Sequence, residues 1–168
     1  GGLRFFIAGD YAAAADLFLL LQKFLQRIEI IPGEAGQGLV LPPDQLKPVG
    51  FAEAESLFPY PSQSFPAYRV LQEYFILPSK FLFLDLFGWE KWQNRGEGSD
   101  FSIRFVLDAP PFKPVRVRAS NFVLAATPAI NIFSHEADPI RLDHRKTDYE
   151  VRPAGGNVNH YQVYSLDK

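Results

Sequence analysis

Residues 64–86 read SFPAYRVLQEYFILPSKFLFLDL, and the hydrophobic pattern changes character halfway along. Ser64 with Pro66 two places on is a helix start: the hydroxyl can accept from first-turn amides, and proline's fixed φ suits that turn. A helix is expected from Pro66 to Phe75. Leu77-Pro78 ends it, because proline cannot continue the helical hydrogen bonding and restricts the residue before it. Phe81-Leu82-Phe83-Leu84-Asp85-Leu86 is then apolar at nearly every position, as in a strand covered on both faces. Arg69 and Glu73 stand four apart, the spacing of a helix-surface ion pair. Lys80 and Asp85 are separated by an odd number of residues, which puts them on opposite faces of a strand. The whole of Tyr68 to Leu86 is therefore expected in the core.

Upstream, Leu3-Arg4-Phe5-Phe6-Ile7 reads as a short strand closed by Gly9-Asp10. Asp10 suits an N-cap, and Leu17, Leu20, Leu21, Phe24 and Leu25 repeat at helical spacing between Tyr11 and Gln26. Ile28, Ile30 and Ile31 give a β-rich exit. Residues 33–50 are rich in glycine and proline, with Leu39-Val40-Leu41 as a short edge segment, and Ala52 to Leu57 offers one or two helical turns. Downstream, the period shifts to two. Phe101, Ile103, Phe105 and Leu107 alternate with Ser102, Arg104, Val106 and Asp108, and Val115, Val117 and Ala119 alternate with Arg116 and Arg118. Phe122-Val123-Leu124, Ile140-Arg141-Leu142, Tyr149-Glu150-Val151 and Tyr161-Gln162-Val163-Tyr164 are further strand candidates separated by turn residues. The expected class is α+β: helices mainly in the first half, packed on a β-rich, mostly antiparallel second half. Residues 1–168 are read as one domain, with Gly1-Gly2 as a cut-site or tag remnant because the chain contains no methionine.

Composition narrows the function. With 47% hydrophobic and 15% aromatic residues, the 168-residue chain can fill a core. A formal net charge of −2 gives no electrostatic footprint for nucleic acid. Cysteine is absent, which removes disulfides and thiolate zinc sites and agrees with a reducing compartment. No apolar run approaches the 18 or so residues that span a bilayer, so no membrane insertion is expected.

Each chemical constellation has a plainer explanation. His135, Glu136, Asp138, Asp143 and His144 are ligand types for a divalent ion, and a metal-dependent hydrolase would use His135, Asp143 and His144. Their spacing matches no closed motif, and turns flanking Ile140-Arg141-Leu142 explain them. Asp10, Glu73 and Asp85 sit in apolar surroundings that favour acid–base chemistry, but capping and ion pairing account for them. No serine lies in a nucleophile motif, and Gly33-Glu34-Ala35-Gly36-Gln37-Gly38 lacks the order and the lysine of a phosphate loop. Arg104, Arg116 and Arg118 form a modest basic stripe of the kind a solvated face carries. The aromatic residues admit a carbohydrate-binding β module, yet phenylalanine dominates and its placement is core-like. Neither a catalytic residue nor a cofactor or metal site emerges. Trp89, Trp92 and Arg95, in the polar-to-aromatic segment 88–96, are the candidates for a protein contact, since tryptophan and arginine most often carry interface energy. The competing reading makes both indoles lids over the core.

The order of segments also resembles a known family. Ser64 to Leu86 is similar to the hallmark "GYRLLQEYF-FPEKFLFF-L" pattern of TssF, a baseplate family of the type VI secretion system. Lys47-Pro48-Val49-Gly50-Phe51 resembles its "PVGF" stretch, Leu3 to Asp10 its "LRFYLHGD", and Thr127 to Phe133 its "TPVVNLF". Ala137 to His144 and Tyr161 to Asp167 continue in register. Ala8, Ala67 and Ser79 depart from the pattern, where histidine, glycine and glutamate are usual. The resemblance implies an internal piece of a longer, non-catalytic protein of a contractile, phage-tail-like injection machine. It implies TssG, TssK and TssE as wedge partners and a cytoplasmic location at a secretion apparatus docked on the inner membrane; self-association is a separate expectation.

Overall fold

The computed structural model describes residues 2–60, 63–108, 116–155 and 160–166. Gly1, Val115 and Asp167, each used in the sequence reading, lie outside them. The chain divides into two compact units, 1–129 and 130–168.

The first unit is built from strands β1 (Leu3–Ile7), β2 (Leu25–Pro32), β3 (Leu39–Leu41), β4 (Leu46–Pro48), β5 (Phe83–Leu86), β6 (Phe101–Leu107) and β7 (Phe122–Leu124), with helices α1 (Tyr11–Lys23) and α2 (Pro66–Ile76). A four-stranded sheet runs β4-β5-β1-β7 and a three-stranded sheet runs β3-β2-β6, with every pairing antiparallel. The α+β class holds, and both helices fall in the first half. Four of the seven strands lie there too, and β5 crosses the midpoint.

Asp10 caps α1 as its position suggested, its carboxylate accepting from the Ala13 amide at 3.4 Å. The helix stops at Lys23, before the expected Gln26, because Leu25 already begins β2. Its buried face, Ala14, Leu17, Leu20 and Leu21, meets Phe5 and Ile7 of β1, Ile28 and Ile30 of β2, and Leu84 and Leu86 of β5 in one core. Phe5, Phe105 and Phe122 join edge-to-face and stacked, with centroids 6.0–6.3 Å apart, linking β1 and β7 of one sheet to β6 of the other. Burying aromatic surface in such pairs stabilises beyond area alone. Asn121 locks the β1 exit: its Nδ2 donates to Ala8 O, and its own backbone carbonyl accepts from the Ala8 amide, both at 2.8 Å.

Phe83, Leu84 and Leu86 are all buried in β5, which lies between β1 and β4, so the continuous apolar run is the two-sided strand expected. Phe81 and Leu82 precede it in a 3₁₀ turn over Pro78–Leu82. Asp85 turns away from Lys80 and takes a bidentate grip from Arg4, both contacts at 2.7 Å.

The second unit differs from expectation. Residues 140–142, 149–151 and 161–164 form no strands; among the described residues the pairing there is one antiparallel bridge, Ala137 to Pro153. Pro139 and Pro153 remove ladder donors beside these segments. No described residue of 130–166 is buried, so alternating side chains have no sheet face to cover. Val117 and Ala119 likewise stand outside any strand, Ala119 opening a short 3₁₀ turn.

Phe83→Ala is expected to cost about 3–5 kcal/mol in chemical denaturation, the price of a large cavity between β5 and its neighbours. A loss under about 1 kcal/mol would contradict the two-sided burial of this strand.

Candidate functional site

The helix α2 is turned inside out. An amphipathic helix ordinarily faces its apolar stripe inward and its charges outward. Here the two residues buried on α2 are Arg69 and Glu73, 3% and 1% exposed. Tyr68, Leu71, Tyr74, Phe75 and Ile76 face solvent, Tyr68 and Phe75 at 68% and 76%. This corrects two sequence expectations: Arg69 and Glu73 are not a surface pair, and the helical half of 68–86 is not core.

The cause lies in what the charges find inside. Lys80, 2% exposed, points its ammonium onto Glu73 Oε2 in a direct ion pair. Glu73 Oε1 accepts from the Leu57 amide at 2.8 Å, from Ser56 Oγ at 3.2 Å and from the Phe58 amide at 3.4 Å. Arg69 donates from Nη2 to the Phe51 carbonyl at 2.8 Å and holds its Nη1 3.7 Å from Glu73 Oε2. A second carboxylate closes the same strap from the other end: Glu55 Oε2 accepts the amides of Gly50 at 2.8 Å and Ala52 at 3.1 Å. Gly50 has φ of +105° and its Cα faces the Lys80 carbonyl, so a side chain there would be strained. Residues 50–58 thus form a strap tied to α2 by the Glu73 carboxylate and the Arg69 guanidinium rather than by a sheet ladder, and folded on itself by Glu55.

Burial pushes the Glu73 carboxyl up, but the Lys80 hydrogen bond, the amides of Leu57 and Phe58 and the Lys80 charge outweigh it and hold the group below its ordinary value of 4.5. The carboxylate is therefore the working form. It is saturated with donors and buried, which suits a structural pin rather than a general acid or base.

Between strap and helix runs an open apolar groove lined by Phe51, Ala67, Val70, Leu71, Tyr74 and Phe81. Its floor is made by Phe51 and Tyr74 against Phe81, with centroids 5.1 and 5.9 Å away. Proline at N1 positions the start of α2, and its N-cap is Phe65, with no side-chain bond, in place of the expected Ser64.

Trp89, Trp92 and Arg95 do come together. The Trp92 ring is 5% exposed and its Nε1 donates to the Gln37 carbonyl at 2.5 Å, while Trp89 is half-buried against the same core. The exposed Arg95 guanidinium lies over both indoles at 5.4 and 5.7 Å and donates to the Trp92 carbonyl at 2.6 Å. Gly96, with φ of +77°, lets the chain pass so close to Ala35 that a Cβ would fall 2.0 Å from its carbonyl oxygen. The glycine-rich stretch 33–38 is thereby explained as the partner of the 94–100 loop, with Gly33 and Gln37 amides donating to Asp100 and Asn94.

The histidine-rich stretch does not converge. Among the described residues no three metal-ligating side chains gather. His135 meets the Ala154 carbonyl at 2.9 Å and stacks on Tyr161, and Asp143 accepts from Tyr149 Oη at 2.6 Å. Arg104 pairs with Glu29 at 3.3 Å, so the basic stripe is partly neutralised.

A model of the family described as "Type VI secretion system, TssF" matches residues 1–168. The chain belongs to the TssF family. It is 31% identical over 129 residues to the type VI secretion system component TssF1 of Pseudomonas aeruginosa, a match covering 76% of this chain and 21% of that protein. It also resembles a chain in the cryo-electron-microscopy structure of the type VI secretion system TssK–TssF–TssG baseplate subcomplex, with TM-score 0.68 and 28% identity over 92% of this chain and 29% of that one. The TssF-type chain described here thus spans between a fifth and a third of the relatives it matches.

The TssF hallmark segment 64–86 is the segment that carries the inverted helix and its buried ion pair. The signal that sequence reasoning missed was available in it. Arg69 and Glu73 are the sole charges on an eleven-residue helix and share one face, so either face was a candidate for burial.

Glu73→Gln is expected to destabilise the protein by about 3–5 kcal/mol at neutral pH, since it strands the buried Lys80 ammonium. A Glu73→Met, Lys80→Met pair should recover only part of that loss, because Arg69 stays buried and the Leu57 and Phe58 amides lose their acceptor. Because the folded-state carboxyl is depressed, its contribution is complete well above pH 4.5 and fades as pH falls below that value. Acid denaturation curves should therefore be steeper for the wild type than for the paired variant. Equal slopes would show that Glu73 is not linked to folding.

Proposed function

We propose that this chain is a structural building block of a type VI secretion baseplate, working by protein–protein assembly rather than by catalysis, within a longer TssF-type protein. The observation that carries the reading is the likeness, over 92% of the chain, to a chain solved within a TssK–TssF–TssG subcomplex. Subunits of the TssG and TssK types are the partners this favours, with TssE as a further wedge neighbour by family resemblance and a second copy of the protein as a separate candidate. Supporting chemistry is consistent: the most strongly buried carboxylate is saturated with structural donors, and the open groove is apolar.

The location that follows is the cytoplasmic side of a membrane-docked machine. Among the described residues no helix is long and apolar enough to cross a membrane. Trp89, Trp92 and Arg95 stay in the proposal as a secondary contact that acts through its outer layer, the Arg95 guanidinium backed by the indoles. Stacked arginine of this kind is pre-organised for a partner's carboxylate.

The test is co-expression of the full-length protein with tagged TssG- and TssK-type subunits from the same organism. A stable complex that survives size-exclusion chromatography is expected. Separate elution of every subunit, with each one folded, would overturn the reading.

A further inference from the structure

We infer that segments 140–142, 149–151 and 161–164 are strands that pair with polypeptide of the same TssF-type protein lying outside residues 1–168. The second unit is then finished by its own chain before any partner subunit arrives. This rests on the reading of a longer protein and is independent of the assembly role.

The second unit has local order without burial. Its antiparallel bridge, Ala137 to Pro153, is flanked by two backbone bonds. The Asp138 amide donates to the Arg152 carbonyl at 2.8 Å, and the Ala154 amide to the Glu136 carbonyl at 2.9 Å. Tyr149 Oη donates to Asp143 at 2.6 Å, and His135 stacks on Tyr161 with centroids 5.5 Å apart. Yet no described residue of 130–166 is buried, and Phe133, Leu142 and Leu166 are 55, 62 and 65% exposed. Hydrogen bonds exchanged with water leave a small net gain, so the cost of fixing this backbone is offset only by apolar burial that the unit lacks. Units below about 40 residues usually need disulfides, a metal or a neighbouring chain. Cysteine is absent from the sequence, and no three metal-ligating side chains gather among the described residues.

The residues define the kind of neighbour. Ile140 and Leu142 flank Arg141, Tyr149 and Val151 flank Glu150, and Tyr161 and Val163 flank Gln162. Such alternation suits a half-buried strand with one apolar and one wet face. Pro139 precedes the first segment and Pro153 follows the second, positions that a strand end tolerates. Strands so patterned, with no ladder among the described residues, are completed by pairing with another stretch of chain.

Two facts select the same polypeptide as that stretch. The chain covers 21% of one relative and 29% of another, so a protein of their length holds several times as much polypeptide as these 168 residues. A covalently attached segment acts at an effective concentration that a free subunit rarely matches. The charges of the unit also alternate in sign, as in Asp138, Arg141, Asp143 and Arg145. They supply neither a basic field for nucleic acid or anionic lipid nor an acidic one to steer a basic partner.

The experiment uses the full-length protein, alone and then with TssG- and TssK-type subunits. In the protein alone, hydrogen–deuterium exchange of the three segments is expected to be about tenfold or more slower than in unstructured peptides of the same sequence. Leu142→Asp should return its own segment to fast exchange while leaving 83–86 protected. Lysine crosslinking of mixed unlabelled and isotope-labelled protein identifies the occupant. The exposed Lys146 is expected to link to lysines outside 1–168 of the same copy. Links confined to residues 1–168, or running between copies, overturn the inference. Fast exchange in the protein alone that slows only with the partner subunits also overturns it, and leaves the baseplate reading in place. Protection in the protein alone without assembly of the subunits supports this inference and removes the baseplate reading.

Discussion

One buried carboxylate organises this part of the molecule. Glu73 draws an ammonium, a hydroxyl and two backbone amides from two separate stretches of chain, residues 56–58 and Lys80. Moving a charge out of water is costly unless its hydrogen-bonding capacity is filled, so these donors have little freedom to be elsewhere. Lys80 must reach back across the end of α2, residues 56–58 must lie flat against the helix, and α2 must present its polar side inward. The apolar side then has nowhere to go but outward. Exposure of Tyr68, Leu71 and Phe75 follows as a consequence of satisfying Glu73.

The pin acts together with a conventional core. Below it, β5 is buried on both faces and pairs with β1 and β4, while α1 covers the centre shared by both sheets. The Phe5–Phe105–Phe122 contact joins the sheets where no backbone ladder does. A rigid base of this sort allows a surface helix to be held in one orientation, which assembly requires and which catalysis by a lone saturated carboxylate would not use.

Much of this was legible from pattern alone. Asp10 as a cap, the heptad-like apolar face of α1, the continuous run of β5 and the alternation of β6 each encode one element by a local rule. Where the reading failed, the deciding fact was non-local. Periodicity says that α2 has two faces, but the side that is buried depends on Lys80 seven residues on and on amides sixteen residues back. The tyrosine- and valine-rich segments after residue 130 alternate like strands, yet a strand exists only where a neighbour supplies its hydrogen bonds. Trp89, Trp92 and Arg95 are neighbours in sequence and the guanidinium does lie over both indoles, while the 5% exposure of Trp92 goes with a bond to the distant Gln37 carbonyl. Family resemblance supplied what local physics could not, because an assembly role of the kind proposed leaves no catalytic signature to read.

Hydrogen–deuterium exchange of the full-length protein, alone and in complex with TssG- and TssK-type subunits, tests the central claim most directly. The account predicts that amides of residues 50–58 are protected in both states by the Glu73 and Glu55 pins. Fast exchange of the Leu57 and Phe58 amides in the folded protein would contradict it.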